Sequence, residues 1–131
     1  MIDTHTHLYS EQFEDDFSEM FNRALDKGVE KFFLPAIDSE THRKMIDLEE
    51  QYPDKVYAMM GLHPCSVQPE SWKKELQIVE TWLNNRPFCA VGEIGIDLYW
   101  DKSTLDIQVT AFEQQIDWAI ERDLPIVIHT R

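Results

Sequence analysis

The 131-residue sequence predicts an α/β fold, a parallel sheet clothed by helices, on three observations. Five short runs are apolar at nearly every residue, as strands buried on both faces must be. Between them lie longer stretches whose apolar residues recur at helical spacing. The polar exceptions within the runs gather at their C-terminal ends, where the loops of a parallel sheet converge.

The first run, MIDTHTHL, reads as a strand in which Asp3, His5 and His7 alternate with Ile2, Thr4, Thr6 and Leu8, so that the three titratable groups share one face. Phe13, Phe17, Met20, Phe21, Ala24 and Leu25 follow at helical spacing, and Gly28 stands where that helix would stop. EKFFLPAI is the second strand. Ser39 then reads as the N-cap of a helix carrying Met45, Ile46, Leu48 and Glu49, which ends before Tyr52 and Pro53. KVYAMMGLHP is the third strand, and Trp72, Leu76, Val79 and Leu83 form the third stripe. FCAVGEIGIDLY is the fourth, with Ser103 capping a helix whose inner face is expected to be Leu105, Val109, Phe112, Ile116 and Ile120. PIVIHTR closes the series as a fifth strand. No linker or low-complexity tract divides the units, so residues 1–131 are expected to form one domain.

Composition narrows the function. With 43% hydrophobic residues, including four Trp, seven Phe and four Tyr, the chain has the means to build a core. Its 25 Asp and Glu against 12 Lys and Arg give a formal charge of −13, which excludes a broad electrostatic grip on nucleic acid. Phosphate chemistry here would have to be local and helped by metal. The two cysteines, Cys65 and Cys89, have neither the density nor the spacing of a disulfide framework or a zinc knuckle. With no basic-then-apolar leader and no run of membrane-spanning length, the expectation is a cytoplasmic protein without a membrane partner.

The polar exceptions are His5 and His7, then His63, then Glu93 and Asp97, then His129 and Arg131. Each has an ordinary alternative. His-x-His alone suits the wet face of an edge strand, His63 before Pro64 suits a loop, and Asp97 suits a cap near a helix. Glu93 and His129 resist such explanations. Both sit in apolar strands, where a buried carboxylate without a partner is costly and a buried imidazole needs a hydrogen bond or a metal. A cation would satisfy both. His42, in the middle of a helix expected to be exposed, carries no assignment. Trp72, Trp82, Trp118, Met59 and Met60 are read as core rather than as a platform for bases.

DTHTHL, GLHP, VGEIGIDLYW and LPIVIHTR, in this order, resemble the TatD family of metal-dependent hydrolases over the whole 131 residues. The resemblance implies a (β/α)8 barrel of TIM type, of which this chain supplies about five βα units, and hydrolysis of phosphodiester bonds, as by a deoxyribonuclease working 3′–5′ from a DNA end. It implies two divalent ions, Mg²⁺, Mn²⁺ or Zn²⁺. His5 and His7 would hold one, Glu93 would bridge them as the catalytic carboxylate, and His129 would bind the second. His63 and Arg131 match substrate-facing positions. Asp3 and Asp97 would act from behind the ligands, Asp3 by fixing the tautomer of a metal-bound histidine. Two ions about 3.5 to 4 Å apart suit water activation and clamp both oxygens of the displacement. An amidohydrolase-like barrel shares His-x-His but wants a lysine-type bridge on the fourth strand, where this chain has Glu93.

The departure from the family is one of extent. A closed barrel takes roughly 250 residues and eight strands, and the family's later metal-binding His and Asp have no counterpart here. The chain is therefore expected to be the N-terminal portion of a longer enzyme. Its open sheet edges would invite self-association or pairing with a C-terminal half. The alternatives are a short protein completed by oligomerising, or a non-catalytic metal-binding half-barrel.

Overall fold

The computed structural model describes residues 1–131. Five parallel strands follow one another in space in chain order. β1 (Ile2–Asp3), β2 (Lys31–Leu34) and β3 (Val56–Ala58) form one ladder, and β4 (Val91–Ile96) and β5 (Ile126–Thr130) form another. A parallel bridge from Met60 to Val91 joins the two. Helices α1 (Phe17–Asp26), α2 (Ser39–Gln51), α3 (Trp72–Asn85) and α4 (Leu105–Glu121) return the chain between strands, and the sheet does not close.

The expected order of elements is present, and the differences in detail have local causes. MIDTHTHL is paired as strand only at Ile2–Asp3. The Asp3 carboxylate accepts the His5 backbone N–H at 3.2 Å, an Asx-type contact that bends the chain away from extended geometry. The first helical stripe divides, since Phe13 ends a short 3₁₀ turn at Glu11–Phe13 and the α-helix starts at Phe17. Asp38 rather than Ser39 caps α2, its side chain accepting the Glu40 N–H, while the Ser39 hydroxyl donates to Glu75 at 2.5 Å. Ser103 lies in the turn before α4 and donates to Asp101; Thr104 occupies the cap position.

The core is a cluster of 22 buried apolar residues that includes Leu34, Met45, Ile46, Val56, Met60, Leu62, Val79, Val91 and Ile94. Each large aliphatic side chain removed from water there contributes about 1.5–3 kcal/mol. Phe21 of α1 packs on Phe32 of β2 and on Tyr52, with ring centroids 4.9 and 4.6 Å apart. Trp118, Met59 and Met60 are buried, and Trp72 and Trp82 pack partly buried against the core.

Two expectations about helix faces are corrected. His42 is 1% exposed rather than on an open helix face, because it continues the inner row of Met45 and Ile46 on α2. Neither ring nitrogen finds a hydrogen bond, and burial lowers its pKa, opposed by the Gly61 backbone and the charges of Glu75 and Asp38. On α4 the fully buried face is Gln108, Ala111, Gln115, Trp118 and Ala119; of the expected apolar row, Phe112 and Ile116 pack partly buried against the core. Leu105, Val109 and Ile120 of that row are exposed, Ile120 at 72%. Two glutamines on the buried face bond backbone groups beyond the C-terminal ends of β3 and β4. Gln115 accepts the Leu62 N–H at 2.6 Å, and Gln108 accepts the Asp97 N–H at 2.8 Å while donating to the Asp97 carbonyl at 2.9 Å. Buried backbone groups need partners, and here long polar side chains supply them.

Candidate metal centre

Glu93 enters the site through an irregularity in β4. Val91 and Gly92 face Ile126 and Val127 of β5, and the register then shifts so that Ile94, not Glu93, faces Ile128. An extra residue in one strand re-aims its side chain. Gly95 makes the close pairing possible: at φ +148°, a Cβ there would lie 2.0 Å from the His129 carbonyl oxygen, so only glycine fits.

The Glu93 side chain is 7% exposed and ringed by imidazoles. His5 Nε2 lies 3.0 Å and His7 Nε2 3.4 Å from Oε2. On the other side, His129 Nδ1 lies 2.8 Å and His63 Nε2 3.8 Å from Oε1. The two carboxylate oxygens thus divide the histidines into two groups, His5 and His7 against His63 and His129, each with its ligand atoms within 4.8 Å of one another and of Glu93. One carboxylate shared by two cation-sized groups is the arrangement of a bridge. The imidazoles of His5, His7 and His129 with the Glu93 carboxylate make a nitrogen-rich donor set suited to Zn²⁺ or Mn²⁺, while Mg²⁺ would rely on further oxygen ligands and water.

Burial pushes the Glu93 carboxyl up, but the close contacts of the His7 and His129 rings and the neighbouring His63 and His5 outweigh it and bring the pKa down to about 2. The side chain is anionic across the physiological range. His63 is shifted down, chiefly by burial, with Glu93 opposing. Asp97 lies 2.7 Å from His129 Nε2 and accepts the Tyr99 N–H at 3.0 Å; burial raises its pKa and these bonds lower it further, so it stays ionised.

The structure therefore brings His5, His7, His63, Glu93, Asp97 and His129 together. Asp3 it places differently: its carboxylate holds the His5 main chain rather than a histidine ring. Arg131 turns its guanidinium over the Tyr99 ring at 3.9 Å, beside Trp100. The residue overlooked in the sequence is Tyr9, whose hydroxyl is 2.8 Å from His7 Nδ1. The period-two count that grouped Asp3, His5 and His7 reaches Tyr9 at its next step and could have flagged it.

With this geometry in view, the comparisons with known proteins decide the family. The model of the family described as TatD related DNase matches residues 2–131. The chain belongs to the TatD family. It is 38% identical to YabD of Bacillus subtilis, described as an uncharacterized metal-dependent hydrolase, over 100% of this chain and 51% of that protein. It is 30% identical to a 3′-5′ ssDNA/RNA exonuclease TatD of Yersinia pseudotuberculosis, over 100% of this chain and 50% of the other. The crystal structure of the TatD homologue YjjV of Escherichia coli superposes with a TM-score of 0.90 at 34% identity, covering 100% of this chain and 51% of that one. A TatD family hydrolase of Entamoeba histolytica superposes at a TM-score of 0.75 and 21% identity, again over 100% of this chain and 50% of its own, which bears on the fold alone. The chain spans about half the length of the curated relatives it matches. Its five strands are accordingly a partial set from a TIM-type barrel. No helix is long and apolar enough to cross a membrane.

Proposed function

We propose that this TatD-family hydrolase is a divalent-metal-dependent phosphodiesterase acting on DNA, removing nucleotides in the 3′–5′ direction. The observation that carries the reading is the single buried carboxylate shared by two histidine groups. In this reading His5 and His7 would hold one ion and His129 the other, with Glu93 placed to serve both. When bound, the ions would activate water and neutralise charge on the scissile phosphate.

The chain's own residues do the remaining work. Asp97 accepts the His129 Nε2–H and thereby leaves Nδ1 to face Glu93, fixing the orientation of that ring. His63 accepts the Cys65 N–H at Nδ1, 3.1 Å away, so its neutral ring carries its proton on Nε2 and presents a donor to a phosphoryl oxygen at the site. Arg131, directly after the strand that bears His129, offers a guanidinium fork to a second phosphate oxygen. The formal charge of −13 keeps such contacts local, so affinity for DNA should depend only shallowly on salt.

The test is release of nucleotides from an oligonucleotide labelled at its 5′ end, with Mn²⁺ or Mg²⁺ added and with EDTA as control. The protein should shorten the strand from the 3′ end, and Glu93→Gln should reduce the rate by more than the roughly 100-fold that loss of an outer hydrogen-bond partner costs. Metal uptake without turnover, or turnover unchanged in Glu93→Gln, would defeat the proposal.

A second reading, a metal-binding module that assembles through its open flank, is favoured by one observation. Ile120 is 72% and Ile128 51% exposed on the side of α4 and β5 where a further βα unit would pack. A concentration-dependent rise in molar mass by light scattering supports it; a constant monomer mass rejects it.

A further inference from the structure

Two histidines of the centre have the same face toward Glu93 and opposite arrangements behind it. His7 and His63 both aim Nε2 at the carboxylate, at 3.4 and 3.8 Å, and both use Nδ1 for a hydrogen bond away from it. Behind His63 the partner is the Cys65 backbone N–H, which can only donate, so His63 Nδ1 must accept. Behind His7 the partner is the Tyr9 hydroxyl at 2.8 Å, which has one proton to give. That proton is already committed, because the same hydroxyl lies 2.5 Å from the Pro35 carbonyl oxygen, which can only accept. The Tyr9 oxygen must therefore receive its hydrogen from His7 Nδ1. Tyr9 is 4% exposed, so water does not compete for either bond.

We propose that Tyr9 is a positioning residue that commits His7 to the Nδ1–H tautomer, making its Nε2 a lone-pair ligand for a divalent cation, while the Cys65 amide commits His63 to the opposite tautomer and excludes it from the same role. The Pro35 carbonyl, at the C-terminal end of β2, is thus the origin of a relay that runs through Tyr9 and His7 to the cation position. The Asp3 carboxylate, expected from the sequence to do this, holds the His5 backbone instead. The rule is the usual one for metal-bound imidazole, in which the far nitrogen's partner fixes the tautomer and raises ligand basicity. Here the partner is neutral, a phenol polarised by a backbone carbonyl.

The inference rests on the metal-hydrolase reading, and two measurements separate their failures. In the protein loaded with Zn²⁺ alone, long-range ¹⁵N–¹H correlation should show the His7 proton on Nδ1 and the His63 proton on Nε2. In calorimetric titration with Zn²⁺, Tyr9→Phe should weaken binding roughly 10–100-fold, the usual cost of losing such a partner, with the His63 pattern retained as evidence that the fold persists. Wild-type protein that takes up no Zn²⁺ defeats the metal reading and this inference with it. Wild-type protein that binds Zn²⁺ with the His7 proton on Nε2, or Tyr9→Phe that binds within twofold of wild type, overturns the role of Tyr9 and leaves the metal reading standing. Should Tyr9→Phe lose the His63 pattern, the tautomers read in the wild-type protein alone decide the matter.

Discussion

The sheet has two regions built on different physical terms. Around β2 and β3 the packing is apolar: Phe32, Leu34, Val56 and Ala58 are at most 2% exposed, and α1 and α2 cover them with Phe21, Met45 and Ile46. Around β4 and β5 the buried set includes Glu93, Asp97, Gln108 and Gln115 beside Val91 and Ile94, and hydrogen bonds join side-chain packing in fixing the geometry. The outer side of that second region stays open, with Ile120 and Ile128 in solvent. The contrast separates scaffold from site. A hydrophobic region tolerates loss of volume at a graded cost, whereas a bonded region depends on a few close approaches that either exist or do not.

Four measurements would break or sharpen that contrast. The largest effect is expected at the closest approach: Gly95→Ala puts a Cβ 2.0 Å from the His129 carbonyl oxygen in a backbone conformation alanine rarely adopts. It should cost more than about 4 kcal/mol, the range of exceptional single mutations, and uncouple β5, seen as loss of hydrogen-exchange protection in Ile126–Thr130. In the apolar region Leu34→Ala, at a fully buried site, should lower the urea-unfolding free energy by about 2–5 kcal/mol without changing which amides are protected. A cost under 1 kcal/mol there would mean that the region is not the tightly packed scaffold described.

The third concerns acid. The folded pKa of Glu93, about 2, lies below its ordinary value of 4.5. Its contribution to stability is therefore fully present above pH 4.5 and is lost as pH falls from about 4.5 to about 2, on the order of 3 kcal/mol across that window. Glu93→Gln should flatten the metal-free protein's stability curve there, and an unchanged curve would show that the histidines do not hold the carboxylate as described. The smallest effect is expected on the open flank. Ile120→Ser should change the unfolding free energy by no more than about 0.5 kcal/mol, since an exposed side chain has little burial to lose. A larger loss would mean that something covers it.

Much of this was legible in the sequence, and the reason differs by feature. The alternation of apolar runs and helical stripes gave the order of five strands and four helices because periodicity records burial directly. Glu93 and His129 stood out because each interrupts an apolar strand, and a polar group so placed needs a partner. The face of α4 was misjudged for the converse reason. Its inner row contains Gln108 and Gln115, whose bonds to the Asp97 and Leu62 backbone join positions 11 and 53 residues apart. His42 was misjudged similarly, a polar residue on a buried face without a pattern to announce it.

The sequence by itself determined which polar residues interrupt the apolar strands and at which end of each strand they stand, since both follow from local spacing and from the cost of isolating charge. Only the tertiary structure decided how those residues are arranged: that Glu93 shares its two oxygens between two histidine groups, that Tyr9 rather than Asp3 stands behind a ring, and that His7 and His63 aim the same Nε2 at Glu93 with different partners, a hydroxyl and a backbone N–H, behind Nδ1. The physical reason is that a hydrogen bond's direction depends on what each partner has left to give. That is set by a third group, often distant along the chain, as Pro35 is from His7.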